Sequence, residues 1–401
     1  MATQNTHEHD SASLWGDFVD SDDEGEVEDE CEPVERYMEG LYYPICLGEI
    51  LADRYRIEHK LGHGGFSTVW MAYDMLDEKD VALKILTTEE AGEREYAMQK
   101  EISSLIKDTS HLLIYQDTFL LPGTGGRQHR VFKFPLLGPP LRSWKHKPPT
   151  ATRRIAAKQL LQAIKALHDA GIVHRDLNSA NVMYGLAPFE KGTSVATKYQ
   201  HLGRPRKISI SRYDPLWKEG QLVEPMNPDV SLVEERIFLG DFGISIKAGT
   251  PVNCKIQSPF IYCAPERFHD KDPSYASDMW SYMCIFAELF LGFPLFPDRG
   301  PSSTTDFMVA VLGPLPSSWK GAYNGGGEER ESWYDPKTLP VSRLTLESKV
   351  THSSNDISPA EKQLALSILK SCLSYEPEHR LTAGQLLKSA AFKDFMKIYG
   401  L

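Results

Sequence analysis

The chain has 401 residues, 41% of them apolar, enough for one large domain or two of medium size that bury a core without staples. Its net charge of −11 is unevenly spread: residues 1–40 hold 14 Asp and Glu against one Arg, while the remainder is close to neutral. Bulk charge therefore makes no case for direct nucleic-acid binding. Six cysteines lack the paired short spacing of a zinc site and read as free thiols in a reducing compartment. With no basic-then-apolar leader and no apolar run of about 18 residues, the expectation is an intracellular protein, cytoplasmic or nuclear or both, with no membrane partner.

Taken in chain order, the acidic stretch Asp20 to Glu26 has few large apolar residues, so residues 1–40 read as a disordered tail. Alternation from Tyr55 to Leu61 predicts a strand running into a glycine turn, followed by strands over Ser67 to Tyr73 and Asp80 to Ile85 in an antiparallel sheet. Met98, Ile102, Leu105 and Ile106 then define one face of a helix. Beyond Pro139 helical patterns dominate, over 152–169 and near 276–291, 303–312, 359–373 and 382–388. The segment 185–235 lacks periodicity and reads as a surface insertion, its short basic run Arg204 to Lys207 as a solvated face. The result is an α+β pattern in two lobes: a sheet-rich part over 41–137, and a helical part over 138–401 that carries the insertion.

Within the first lobe, Leu61-Gly62-His63-Gly64-Gly65-Phe66-Ser67-Thr68-Val69 places glycines at a hairpin tip, where backbone can approach phosphates closely. Such a turn by itself more often only reverses the chain. Lys84 follows in Val81-Ala82-Leu83-Lys84, on the strand face opposite Val81 and Leu83. Glu101 lies beside the apolar stripe of the next helix, where an inward carboxylate needs a cation, and Lys84 is the candidate. The strongest signal is His174-Arg175-Asp176-Leu177-Asn178-Ser179-Ala180-Asn181, then Asp241-Phe242-Gly243, then Ala264-Pro265-Glu266.

Six such motifs in this order resemble the protein kinases, over roughly residues 50–395. The resemblance implies a two-lobed kinase-like fold, antiparallel sheet in the N-lobe and helices in the C-lobe, with ATP and Mg2+ as cofactors bound between the lobes and a protein as substrate. It assigns catalysis to Asp176 as the base, to Lys84 aligned by Glu101, and to Asn178; Asn181 and Asp241 would ligate the metal. ATP would meet Leu61, Gly62, Gly64, Gly65, Ser67, Val69, Ala82 and Lys84, with Phe134, Pro135, Leu137 and Met183 around the adenine.

Tyr43 to Glu49, Phe66 to Trp70 and Leu136-Leu137-Gly138-Pro139 are most similar to the SR-protein kinase branch, especially its fungal members, which implies serines of Arg-Ser-rich splicing proteins as targets. Three positions depart from the pattern. Asn178 stands where a lysine usually contacts the γ-phosphate, Pro259 replaces a threonine, and Cys263 an arginine. These departures motivate an alternative, an ATP-binding pseudokinase scaffold. Arg175 marks kinases whose activation segment can be ordered by a phosphate, with Thr250 and Ser258 as available hydroxyls.

Overall fold

The computed structural model describes residues 14–142, 148–212, 216–354 and 356–401. It divides into two compact units. The first holds the chain up to residue 99 together with 113–139 and 184–234; the second holds 100–112, 140–183 and 235–401. The units change over between Pro139 and Pro140, where the sequence reading set 137/138. The insertion, however, belongs to the sheet-bearing unit, whereas the end of the helix Glu89–Leu105 belongs to the helical one.

The first unit is built on a six-stranded antiparallel sheet in the order Ile50–Leu51, Tyr55–Gly64, Ser67–Asp74, Lys79–Leu86, Gln128–Pro135 and Asp117–Pro122. Period-two alternation sends Val81, Leu83, Ile85 and Val131 to one face with Ile57 and Trp70, and Ala82, Leu86, Phe132 and Phe134 to the other.

The disordered tail expected over 1–40 is corrected for the residues described; residues 1–13 lie outside them. Asp17–Phe18 is a strand, and Glu24–Glu30 and Glu35–Met38 are helices. The described residues of the insertion are likewise ordered, with a helix Val195–Leu202 and strands Arg206–Ser209 and Gln221–Val223. Each supplies what the other lacks. Phe18 pairs with Lys207 in parallel, and Val27, Cys31, Tyr37 and Tyr42 share a small core with Ile208, Ile210 and Leu222. The basic run keeps Arg204 exposed, as expected of a solvated face, but buries Lys207 and meets the acidic segment: Arg204 pairs with Asp17, and Arg206 with Asp23 and Glu26. Beneath this layer the Lys60 ammonium and the Tyr37 hydroxyl both donate to Glu32 Oε1, and Lys198 Nζ lies 2.7 Å from Glu58 and 2.5 Å from Asp80.

In the second unit the helix Tyr275–Leu291 is buried along most of its length, opened by a Ser274/Ser277 capping box and closed by Gly292 at φ 83°. It is accompanied by helices Thr150–Asp169, Pro301–Leu312, Pro359–Cys372 and Ala383–Lys388, close to their sequence patterns. Glu266 and Arg380 form a buried bidentate pair, with both N–O distances 2.7 Å. Among the described residues no helix is long and apolar enough to cross a membrane.

Two stability measurements probe the accessory layer. Glu32→Ala leaves the Lys60 charge buried alone and is expected to cost about 3–5 kcal/mol in chemical denaturation, most of it recovered by adding Lys60→Met. His59 is 2% exposed, and burial lowers its pKa to about 4. The unfolded chain takes up that proton near pH 6.5, so the stability due to neutral His59 is full above that pH and lost as pH falls toward 4. Between pH 7 and pH 5 the wild type should lose about 2 kcal/mol more than His59→Gln.

Candidate active site

In the first unit the glycine loop is the tip of the hairpin between Tyr55–Gly64 and Ser67–Asp74, where Gly64 pairs with Ser67. None of Gly62, Gly64 and Gly65 has a left-handed φ, and a Cβ added at any of them would meet nothing within 4 Å. Neither the turn nor the packing therefore requires glycine. A ligand resting on the backbone, such as a phosphate chain, would require it.

Leu61 and Val69, both half-buried, pack with Ala82, Phe134 and Phe132 in one apolar cluster of this unit. Partial exposure leaves them an apolar surface of the kind an adenine ring covers. Pro135 pairs with Val81, and the half-exposed Leu136 and Leu137 continue past the strand with no backbone–backbone bond among the described residues. Ser67 is buried, and Met183 lies in the second unit, bridged to Pro140.

The expected partner of Lys84 is corrected. Lys84 Nζ donates to both carboxylate oxygens of Glu95, at 3.0 and 2.8 Å, while Glu101 pairs with Lys247 at 2.7 Å. Helix geometry gives the reason. Seven residues return to within about 20° of the same face, so Glu95 lies under Ile102, whereas adjacent Glu101 is displaced by about 100°. The buried stripe is Glu95, Gln99, Ile102 and Ile106, and Leu105 is 52% exposed. Polar residues within the stripe concealed it in the sequence. Gln99 completes the arrangement, donating to Glu95 Oε1 at 2.9 Å and accepting the Tyr115 N–H at 2.9 Å.

In the second unit, the catalytic loop hangs from the helix Tyr275–Leu291. Buried Asp278 accepts the backbone N–H groups of His174 (2.8 Å) and Arg175 (3.0 Å), and Arg175 sits at φ 71°. Asp176 follows, its two carboxylate oxygens held by Asn178 Nδ2 at 3.0 Å and Asn181 Nδ2 at 2.9 Å. Burial pushes its pKa up to about 6; the Asp241 carboxylate adds to the rise and the two amides oppose it. Asn178 Oδ1 also accepts the Ala180 N–H at 2.9 Å, so this residue braces the loop where a lysine was the usual occupant.

Asn181 and Asp241 are joined through backbone, Gly240 N–H donating to the Asn181 carbonyl at 2.9 Å, and Asp241 stands exposed at φ 63°. Phe242 is buried against the His174 ring. Since Asn181 Nδ2 serves Asp176, its amide oxygen is left to accept from a ligand. An amide oxygen and a carboxylate suit a hard cation, and the described residues contain no group of three His, Cys, Asp or Glu able to cage a metal. That donor set fits a cation completed by phosphate oxygens and water.

The activation segment is tied down by protein groups. Arg175 donates to the carbonyls of Ile244 (2.9 Å) and Cys254 (3.1 Å) and to Gln257 Oε1 (2.5 Å). Ser258, expected as an available hydroxyl, is 5% exposed and accepts from Arg267 Nη1 at 3.3 Å; Thr250 is exposed. Arg267, which the motifs did not single out, also donates to the carbonyls of Arg175 (3.0 Å) and Lys255 (2.7 Å). Cys263 is fully buried and Pro259 caps a short turn.

A sheet unit with a phosphate-suited loop and a paired lysine, and a helical unit with a braced aspartate, define a phosphotransferase of the protein-kinase class. The protein kinase domain profile matches residues 55–187 and 226–392, and the chain belongs to that family. It is 28% identical over 418 residues to the serine/threonine-protein kinase SRPK of Physarum polycephalum, covering 94% of this chain and 93% of that protein. It is also 27% identical over 378 residues to the dual specificity protein kinase CLK2 of Homo sapiens, covering 90% of this chain and 68% of that protein. A solved crystal structure of a kinase domain shares the fold at TM-score 0.60 and 18% identity, covering 88% of this chain and 99% of that one. The protein is thus a protein kinase, and its family implies ATP and a divalent metal.

Glu95→Gln should lower kcat/KM for ATP about 10–100-fold in steady-state assays, whereas Glu101→Gln should stay within about two-fold of wild type. Because Arg175 already has its partners, Thr250→Ala should likewise leave phosphate incorporation within about two-fold.

Proposed function

We propose that this kinase transfers the γ-phosphate of Mg-ATP to serine or threonine hydroxyls of Arg-Ser-rich proteins, in the cytoplasm or the nucleus. The observation that carries the reading is Asp176, a carboxylate oriented by Asn178 and Asn181 in a loop whose backbone Asp278 grips. Its roles are to align the substrate hydroxyl and accept its proton as the oxygen attacks. Lys84, with its ammonium fixed by Glu95, would hold the α- and β-phosphates, and the bare backbone of Gly62, Gly64 and Gly65 would face them. The adenine would rest on the apolar cluster of Leu61, Val69, Ala82 and Phe134, with the Pro135 to Leu137 backbone at its edge. Asn181 and Asp241 would hold magnesium, whose charge would offset that of the phosphate oxygens.

The substrate class rests on the phrases shared with the SR-protein kinase branch and on similarity to a protein named SRPK over most of both chains. Asn178 favours a second reading, a nucleotide-binding scaffold, since the usual charged γ-phosphate contact is absent. Losing one such contact costs on the order of 2–4 kcal/mol of barrier, which slows an enzyme without abolishing it.

Purified protein given labelled ATP, magnesium and an Arg-Ser peptide should incorporate phosphate on serine. Asp176→Asn should lose at least about 10³-fold of that rate. Equal incorporation by the two overturns the assignment of the base, and nucleotide binding without transfer selects the scaffold. A peptide with its arginines replaced by alanine should be a poorer substrate; parity removes the Arg-Ser preference.

A further inference from the structure

Residues before 55 and between 188 and 225 lie outside the matched kinase profile, yet the segment Arg36 to Tyr42 reaches the glycine loop. The Tyr42 hydroxyl donates to the Gly64 carbonyl at 2.8 Å, and Arg36 Nη2 donates to the Gly65 carbonyl. We propose that Tyr42 and Arg36 are positioning residues for nucleotide binding, a tether that holds the tip of the phosphate loop in its receptive conformation. This rests on the kinase reading above.

Peptide geometry makes the tether chemically meaningful. In a planar trans peptide the C=O and the following N–H point in opposite directions. Anchoring the carbonyls of Gly64 and Gly65 therefore fixes the N–H groups of Gly65 and Phe66 on the side away from the N-terminal segment. Those are the donors a phosphate needs, and glycine would otherwise leave their orientation free. His63 to Phe66 are exposed, and a Cβ at Gly64 or Gly65 would touch nothing; besides the Gly64–Ser67 pairing and the Thr87 N–H donated to the Phe66 carbonyl at 2.9 Å, little packing restrains the tip.

The anchor itself is rigid. Tyr42 is 3% exposed, and the guanidinium of Arg36 lies 5.5 Å from the centroid of its ring. The Arg36 carbonyl accepts the N–H groups of Leu41 (2.9 Å) and Tyr42 (3.1 Å), closing the turn that brings the two side chains together. Tyr37 and Lys60 share the Glu32 carboxylate, which ties the segment to the strand immediately before Leu61. Arg127 Nη1 secures the far side through the Glu39 carbonyl at 3.1 Å.

The test uses the full chain. Tyr42→Phe removes only the hydroxyl and keeps the packed ring; Arg36→Ala removes a partly exposed side chain; Arg36→Lys restores a donor; Lys84→Ala is the reference for lost phosphate contact. KM for ATP, kcat, binding of a fluorescent ADP analogue with magnesium, and hydrogen exchange over residues 61–67 are measured on each. Tyr42→Phe and Arg36→Ala should each raise KM and the analogue's Kd about 2–10-fold, with a smaller change in kcat and faster exchange in the loop. Arg36→Lys should recover most of the loss. If Lys84→Ala weakens binding while Tyr42→Phe and Arg36→Ala bind as wild type, the tether has no role and the kinase reading stands. If KM rises without faster exchange over 61–67, the positioning claim is likewise wrong. If Lys84→Ala binds as wild type, the assignment of this cleft to the phosphates fails and takes the tether with it.

Discussion

The carboxylate of Asp278 is the fixed point from which the chemistry of the helical unit is arranged. It sits inside a well-packed helix and accepts two successive backbone N–H groups of the catalytic loop. Burial alone would raise its pKa, but the contact with His168 and the donors from the loop hold it below the ordinary carboxylate value. Hydrogen bonds to a charged group contribute about 1.5–3 kcal/mol each, enough to offset the roughly 1–3 kcal/mol of a left-handed backbone at Arg175. With the loop turned there, the Arg175 side chain reaches into the activation segment and Asp176 faces the amides of Asn178 and Asn181. One buried charge thus positions the base, one candidate metal ligand and the segment beyond Asp241.

The same rule, that a charge taken out of water requires a partner, organises the sheet unit. Lys84 is answered by Glu95, Lys60 by Glu32, and Lys198 by Glu58 and Asp80. The last two tie the added layer, residues 14–51, 195–212 and 216–226, onto the strands that carry the glycine loop and Lys84. An acidic segment that looks like a solubilising tail becomes structure once Arg204, Arg206 and a strand edge are placed beside it.

Where the chain departs from the usual kinase pattern, the neighbouring groups have adjusted. Asn178 cannot supply a positive charge, but it restrains the base and the following backbone at once. The activation segment is held by carbonyls and the neutral Gln257, so its order does not call for a phosphate. Arg267 brings a guanidinium to the same segment four residues after Cys263.

Motif order alone determined the family, the two-part α+β architecture and the class of reaction. Strands and long helices were legible because their apolar periods are local: Val81, Leu83 and Ile85 alternate, and the helices near 276–291 and 359–373 carry their own stripes and caps. Tertiary structure decided which charge meets which. The choice between Glu95 and Glu101 turned on the rotation of one helix, and polar Glu95 and Gln99 within the buried stripe gave no periodic signal. The order of residues 14–40, 195–212 and 216–226 was equally illegible, since neither the acidic segment nor the insertion has enough apolar residues to fold alone. Their shared core and ion pairs join residues about 170–190 apart, a distance over which no local pattern carries information.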